Sequence, residues 1–358
     1  MILLTIIFGL ALLQRHHKST SSMVGGAITP TLKVKVSNGS VKGTLTENVV
    51  RKNIMKLDIE YDKNAKLKRN FSRIRNTLHP FSALRKSIRS RVLDDKEVVI
   101  TNAFMKCYEF ITTFNIQYDS LYDIASAPGM FVICADYIRH SKTPLRWHAC
   151  SYIAEGSYLD DTYGLFKMHP DCFENVNVLN DDDIKRVIKN EHSSYDLVLG
   201  DIGCIHGYNE LQEESHKELQ RRQALLAAHL TKKGGNAFLK MYSCITAPSI
   251  MLVSNLSKYF RELYLWKPYT SRITNVETYI VALSRNDKPY EESTVMPKNA
   301  QLFYKYYNDL ATYKNVLVEE LLQNGTEEVN VKKWLKDISK VYNAITHLAE
   351  ERIVKNKV

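Results

Sequence analysis

The sequence predicts an α/β protein built on a mostly parallel sheet. Two observations carry that prediction. Between residues 96 and 286, short apolar runs alternate with amphipathic ones. One run, Ser120–Ile124, leads into Ala125–Gly129, where no side chain is large, and then into the apolar stretch Phe131–Ile138. Strand, small-residue turn and helix form the unit that presents unpaired helix N–H groups to a ligand beyond the carboxyl ends of the strands.

The elements follow in order. Residues 23–50 are rich in Gly, Thr, Ser and Val and suit flexible chain or short strands. Residues 51–95 are basic and read as largely helical, with a break at His79-Pro80. Apolar periodicity then places helices near 102–113, 129–139, 182–190, 210–230 and 247–259. Strands fall near 121–125, 147–151, 175–179, 195–200, 236–241, 262–266 and 277–284. After Asn286-Asp-Lys-Pro289 the pattern turns helical, over 298–323 and 329–354, with Asn324-Gly325 between. The resulting division is an apolar leader at 1–22, a basic extension at 23–95, an α/β domain at 96–286 and a helical appendage at 287–358.

Composition narrows the partners. The net charge is +10, from 49 basic and 39 acidic side chains, and Arg51 to Arg91 alone carries 13 Lys/Arg against 3 Asp/Glu. Such a segment suits a polyanion and salt-dependent binding. Arg85, Lys86, Arg89 and Arg91 recur at helical offsets and would form a basic stripe for the phosphates of such a polyanion. The six cysteines form no C-x-x-C pair and no zinc spacing with histidine, so no metal is expected. Buried free thiols fit a reducing compartment, the cytoplasm. Ile2–Leu13 is continuously apolar, yet twelve residues are too few to span ~30 Å of hydrocarbon as a helix. The segment leaves two readings open: a weak membrane contact, or a translation start at Met23.

Four separated polar residues stand where chemistry would need them. Lys106 lies in Thr101-Asn-Ala-Phe-Met-Lys106, Asp201 ends Tyr195-Asp-Leu-Val-Leu-Gly-Asp201, Lys240 ends the apolar run from Gly234, and Glu277 opens Glu277-Thr-Tyr-Ile-Val-Ala-Leu283. Asp123-Ile-Ala-Ser-Ala-Pro-Gly-Met-Phe131 resembles the S-adenosylmethionine motif of the FtsJ/RrmJ family of RNA 2′-O-methyltransferases. The remaining segments resemble that family's signatures in family order, including the block Lys267-Pro-Tyr-Thr-Ser-Arg272. The likeness covers roughly residues 98–286. The Thr-Asn-Ala-Phe-Met-Lys and Ser-Arg-Ile-Thr-Asn-Val-Glu-Thr-Tyr contexts resemble viral members, including those of large cytoplasmic DNA viruses.

The resemblance implies a Rossmann-like fold with helices on both faces of a seven-stranded sheet, its last strand antiparallel and inserted beside the fifth. It implies Lys106, Asp201, Lys240 and Glu277 as the catalytic tetrad, with Lys240 facing the acceptor hydroxyl. It implies cofactor contacts from Ser126, Ala127, Pro128, Gly129, Met130, Phe131 and Asp201. Asp181 matches the family's adenine contact, although the run Asp181–Asp183 equally suits a solvated helix cap. Two departures are visible. Met130 replaces the second glycine of the turn, and Ser151 stands where an acid for the cofactor ribose is usual. Ser271 and Arg272 are expected to position the RNA.

The chemistry agrees with the residue types. A ribose 2′-OH is a poor nucleophile at neutral pH and needs a base or a cation at its oxygen. A second lysine lowers a lysine's pKa, while carboxylates hold it in place. Three functions remain open: a viral-type mRNA cap 2′-O-methyltransferase, a ribosomal RNA 2′-O-methyltransferase, and a non-catalytic RNA-binding subunit of a capping complex. The C-terminal helices are a candidate surface for capping or transcription proteins.

Overall fold

The computed structural model describes residues 33–36, 42–54, 100–139, 143–203, 212–271, 275, 277–291, 297, 299–323 and 329–355. The leader at 2–13, the basic stripe from Arg85 to Arg91, and Arg272 lie outside these residues.

The sheet has eight strands: β1 (Lys33–Lys35), β2 (Ser120–Ile124), β3 (Arg146–Ser151), β4 (Phe173–Asn175), β5 (Tyr195–Gly200), β6 (Thr231–Met241), β7 (Phe260–Trp266) and β8 (Thr278–Arg285). Their order across the sheet is β1-β7-β8-β6-β5-β2-β3-β4. Strands β6, β5, β2, β3 and β4 run parallel, and β8 lies antiparallel between β6 and β7. Seven of these strands match the expected plan. The correction is β1, which pairs antiparallel with the outer edge of β7. Three residues carry too little alternation for a strand to be read from them, but Lys33 gains purchase by lying over the rings of Phe114 and Tyr264.

Every residue of β2 is buried, as a central parallel strand covered on both faces requires. After β1 come the helices α1 (Asn102–Thr113), α2 (Met130–Ile138), α3 (Leu165–Met168), α4 (Asp181–Glu191), α5 (Gln212–Leu230), α6 (Ala247–Leu256), α7 (Ala300–Gln323) and α8 (Val329–Lys355). Helix α2 is apolar on nearly every side and accordingly buried. Helix α1 packs on it, and its Phe110 stacks on Phe238 of β6 at 4.3 Å; Phe238 in turn stacks on Tyr279 of β8 at 4.3 Å. This three-ring column runs from a helix through two strands and ends beside the polar cluster described below.

The segment at 47–54 is helical and buries Val50 and Ile54. Its Arg51 pairs with Glu214 of α5, and its Asn53 bonds Asn308 of α7. Among the described residues, no helix is long and apolar enough to cross a membrane.

Candidate active site

Four chain segments converge at the carboxyl ends of the parallel strands. Lys106 comes from α1, Asp201 follows β5, Lys240 sits near the end of β6, and Glu277 precedes the antiparallel β8. Antiparallel insertion of β8 brings Glu277 back to this edge. Lys106 Nζ lies 3.2 Å from Glu277 Oε1 and 3.5 Å from Asp201 Oδ2. Lys240 Nζ lies 3.4 Å from Asp201 Oδ1 and 3.9 Å from Glu277 Oε2. Each lysine therefore meets both carboxylates in a closed alternating ring of charge.

The ring is graded in depth. The Lys106 side chain is 7% exposed and that of Asp201 24%. Gly203 leaves room for the Lys240 head, because a Cβ there would stand 3.1 Å from its Nζ. Burial pushes Glu277 toward neutrality, but the charges of Lys106, Lys240 and Lys267 and the Ser271 hydroxyl outweigh it. They hold the carboxyl well below the usual range.

Further residues support the ring, among them Tyr279 and Glu109, which the sequence reading missed. Tyr279 donates its hydroxyl to Asp201 Oδ1 at 2.8 Å, and Lys106 lies 5.1 Å above its ring. Lys267, almost wholly buried, donates to Ser271 Oγ, Asn275 Oδ1 and the Glu277 carbonyl at 3.0, 2.6 and 2.7 Å. Ser271 is buried and donates to Glu277 Oε1 at 2.8 Å. Its hydroxyl is thereby engaged with both Lys267 and the tetrad inside the protein. Glu109 of α1 accepts bonds from the Tyr269 and Thr270 amides and the Thr270 hydroxyl, tying the helix of Lys106 to the loop of Ser271. The signal for Lys267 was its place in the Lys-Pro-x-x-Ser-Arg block; nothing in an apolar pattern marks Tyr279 or Glu109.

Helix α7 reaches the same loop. Tyr307 of α7 bonds the Thr278 hydroxyl at 2.8 Å and the Tyr242 carbonyl at 3.1 Å. The buried Lys314 donates to the Asn275 carbonyl.

A cavity of about 430 Å³ adjoins the ring. Lys106 and Asp201 belong to both. The turn contributes Ser126, Ala127, Pro128, Met130 and Phe131 to its wall, joined by Asp123 from β2 and by Thr101 and Asn102 at the start of α1. The turn is pinned by Ser126 N–H to the Cys150 carbonyl at 2.9 Å and by Gly129 N–H to the Ser126 carbonyl at 2.6 Å.

Three members of the expected cofactor set lie outside that wall. Ser151 accepts the Ala127 amide at 2.9 Å and so props the turn from behind. Asp181 is paired with Arg222 at 2.5 Å at the start of α4, whose cap is Asn180. Gly129 has φ +94°, and a Cβ there would meet Leu165 Cδ2 at 2.6 Å rather than the cavity. Its glycine serves the left-handed backbone and the packing of α3.

Two buried polar atoms of the cavity residues have no hydrogen-bond partner, Asp123 Oδ1 and Thr101 Oγ1. Burial, opposed by the Ser126 hydroxyl at 2.5 Å and reinforced by the charge of Asp201, pushes Asp123 up to about 7. Unpartnered buried atoms of this kind are rare in folded proteins and suit a ligand with its own polar groups.

Comparison with known proteins agrees with this geometry. A family model described as FtsJ-like methyltransferase matches residues 99–285. The chain is 29% identical over 300 residues to "Probable methyltransferase EP424R" of African swine fever virus (isolate Pig/Kenya/KEN-50/1950), covering 73% of this chain and 68% of that protein. It is 26% identical over 218 residues to cap-specific mRNA (nucleoside-2′-O-)-methyltransferase 2 of Drosophila melanogaster, covering 54% of this chain and 31% of that one. It is 28% identical over 127 residues to the cap-specific mRNA (nucleoside-2′-O-)-methyltransferase of Autographa californica nuclear polyhedrosis virus, covering 35% and 48%. The family match spans just over half of the chain and encloses the turn, the cavity and all four residues of the charged ring: this protein belongs to the FtsJ-like methyltransferase family.

Proposed function

We propose that the chain transfers a methyl group from S-adenosylmethionine to a ribose 2′-OH of RNA, at the first transcribed nucleotide of capped mRNA. One observation carries the reading: Lys106 and Asp201 belong at once to the charged ring and to the wall of the cavity beside it. A methyl donor in that cavity and a hydroxyl at the ring would be neighbours.

The cavity residues fit an amino-acid-bearing cofactor. Asp123 Oδ1 offers an acceptor for an ammonium group, and the opening of α1 at Thr101 and Asn102 offers a positive helix end to a carboxylate. S-adenosylmethionine supplies a methyl already activated by its sulfonium. Lys240 is the residue we assign to the acceptor oxygen, taking its proton or meeting its developing charge. Asp201 and Glu277 hold the lysine head, and Lys106 supplies the second positive charge that balances them. General-base help is worth about 10²–10⁴ in rate, and the rest must come from holding the hydroxyl in line.

The cap assignment is supported by the relatives named for cap-specific 2′-O-methylation. Tyr152 and Tyr158, exposed beyond β3 on the same sheet edge, are the aromatic faces we assign to a cap base. The basic stripe and Arg272 would hold RNA. Five free thiols among the described residues suit the cytoplasm, where we place the protein.

The test is methylation of matched capped and uncapped short RNAs, followed by digestion and identification of the methylated nucleoside. A 2′-O-methyl group on the first nucleotide of capped RNA alone is the expected product. Equal methylation of uncapped RNA would point to a ribosomal type of substrate, and no ribose methylation would overturn the reading. Lys240→Ala and Lys240→Arg should both abolish turnover while cofactor binding persists, since Arg stays charged and its planar fork does not replace an ammonium.

A further inference from the structure

A second cavity, of about 610 Å³, lies at the opposite edge of the sheet from the charged ring. It gathers residues from the start of β6, the end of β8 and the approach to β5. From Lys232 to Lys240 along β6 is about 25 Å at ~3.3 Å per residue. Nothing in the proposed methyl transfer uses this place.

Its wall is strongly cationic. Lys232 is paired with Asp196 at 2.5 Å and Lys233 with Asp287 at 2.6 Å. That leaves Arg285 and Lys288, neither of which pairs with a carboxylate among the described residues. Arg285 is 7% exposed, and its bonds go to the carbonyls of Ala228 and Asn286 at 2.7 and 2.8 Å. Burial pulls its guanidinium below its ordinary value, and Asp287 only partly offsets this. A buried cation met only by carbonyls is costly and is relieved by an anion.

The histidine beside it has the complementary vacancy. His229 Nδ1 is buried without a hydrogen-bond partner, and His229 is one of the residues that line this cavity. Burial, then the nearby His192 and Arg285, push His229 below its ordinary value. Rings follow one another along the wall: His192 to His229 at 5.6 Å and His229 to Tyr290 at 5.8 Å. Guanidinium, ammonium and imidazole groups lining one cavity suit an anion with several acceptor oxygens, such as a phosphate.

We propose that this cavity is a second binding site, for a phosphate-bearing ligand whose anion lies against Arg285 and Lys288 beside the His229 ring. The phosphate belongs to an RNA backbone or to a free phosphorylated small molecule.

The experiment uses the full chain with pyrophosphate, an uncapped oligoribonucleotide and polyglutamate as probes. Imidazole NMR follows the titration of His229 as each is added, and calorimetry gives the affinity. His192, Arg285 and Tyr290 lie beside His229, and Lys232, Lys233, Asp287 and Lys288 line the same cavity, so the titration is repeated in Lys288→Glu, a change at an exposed residue. A phosphate probe should raise the His229 pKa, and its affinity should fall at least tenfold in Lys288→Glu. Methylation of a short capped RNA should be unchanged by that substitution. Pyrophosphate binding more tightly than the oligoribonucleotide assigns the site to a free phosphorylated ligand; the reverse assigns it to the RNA backbone. No response of His229 to either, an affinity unaltered in Lys288→Glu, or a preference for polyglutamate would overturn the proposal.

Discussion

Tyr279 donates its hydroxyl to Asp201 Oδ1 at 2.8 Å while its ring stacks on Phe238. The hydroxyl and the ring have separable duties. Tyr279→Phe keeps the stack and removes the bond, so the fold should persist with a loss of about 0.5–1.5 kcal/mol. Asp201 would lose one of its fixed directions, and turnover should fall about tenfold or more because small misplacements are costly. Single-turnover methylation beside thermal denaturation checks both. Unchanged turnover would mean that the lysines alone orient Asp201.

Asp123 predicts a pH dependence of cofactor binding. Its folded-state value of about 7 stands above the ordinary 3.8, so the folded protein holds a proton that the unfolded chain releases. That contribution to stability is present at low pH and is lost as pH rises from about 4 to 7. A cationic ligand group favours the ionised carboxylate. Affinity for S-adenosylmethionine should therefore rise with pH up to about 7, with proton release on binding at pH 6. Calorimetry in buffers of different ionisation enthalpy measures that release. Asp123→Asn should abolish it. Glu277 runs in the opposite sense, since its depressed value contributes stability above its unfolded value that is lost as pH falls.

Gly129→Val should act first on folding. Its φ of +94° is strained for any branched residue, at a cost of about 1–3 kcal/mol, and the new Cβ must also displace Leu165. A lowered melting temperature without ligand is expected, with Gly129→Ala less severe. A variant as stable as the parent that fails to bind cofactor would instead place the glycine in direct contact with the ligand.

Lys314→Met tests the hold of α7 on the active-site loop. The Asn275 carbonyl would lose the bond from Lys314 at a cost of about 1–3 kcal/mol. Since Lys267 also holds Asn275 and the Glu277 carbonyl, the loop should shift rather than unfold. The expected result is reduced turnover with cofactor affinity kept, read by kinetics and equilibrium binding. Equal loss of both would show a general loosening instead.

What could be read from the sequence follows a physical divide. Lys240 and Asp201 were legible because a charge at the end of an apolar strand breaks a pattern that burial otherwise enforces. Helix α1 was legible because its apolar residues recur at helical spacing over 102–113. Tyr279, Glu109 and Lys314 were not, since each sits within a periodic element and is distinguished only by a partner far along the chain. Ser271 was legible only as part of the Lys-Pro-x-x-Ser-Arg block; its bonds to Lys267 and Glu277 depend on how the loop folds back and leave no mark in the sequence. Strand β1 lies in the 23–50 segment, for which short strands were one of two open readings; its place is fixed by the edge of β7 and not by its own pattern.

The bonds from Tyr307 and Lys314 give the molecule a chronology. All four residues of the charged ring precede α7 in the chain, so during synthesis they leave the ribosome before the helix that steadies Thr278 and Asn275. A nascent protein interrupted after β8 would carry the complete set of reactive side chains with that loop still unsupported. Support of the loop that precedes Glu277 thus waits for α7 to be made and docked, and the appearance of activity after β8 has been synthesised would time that docking.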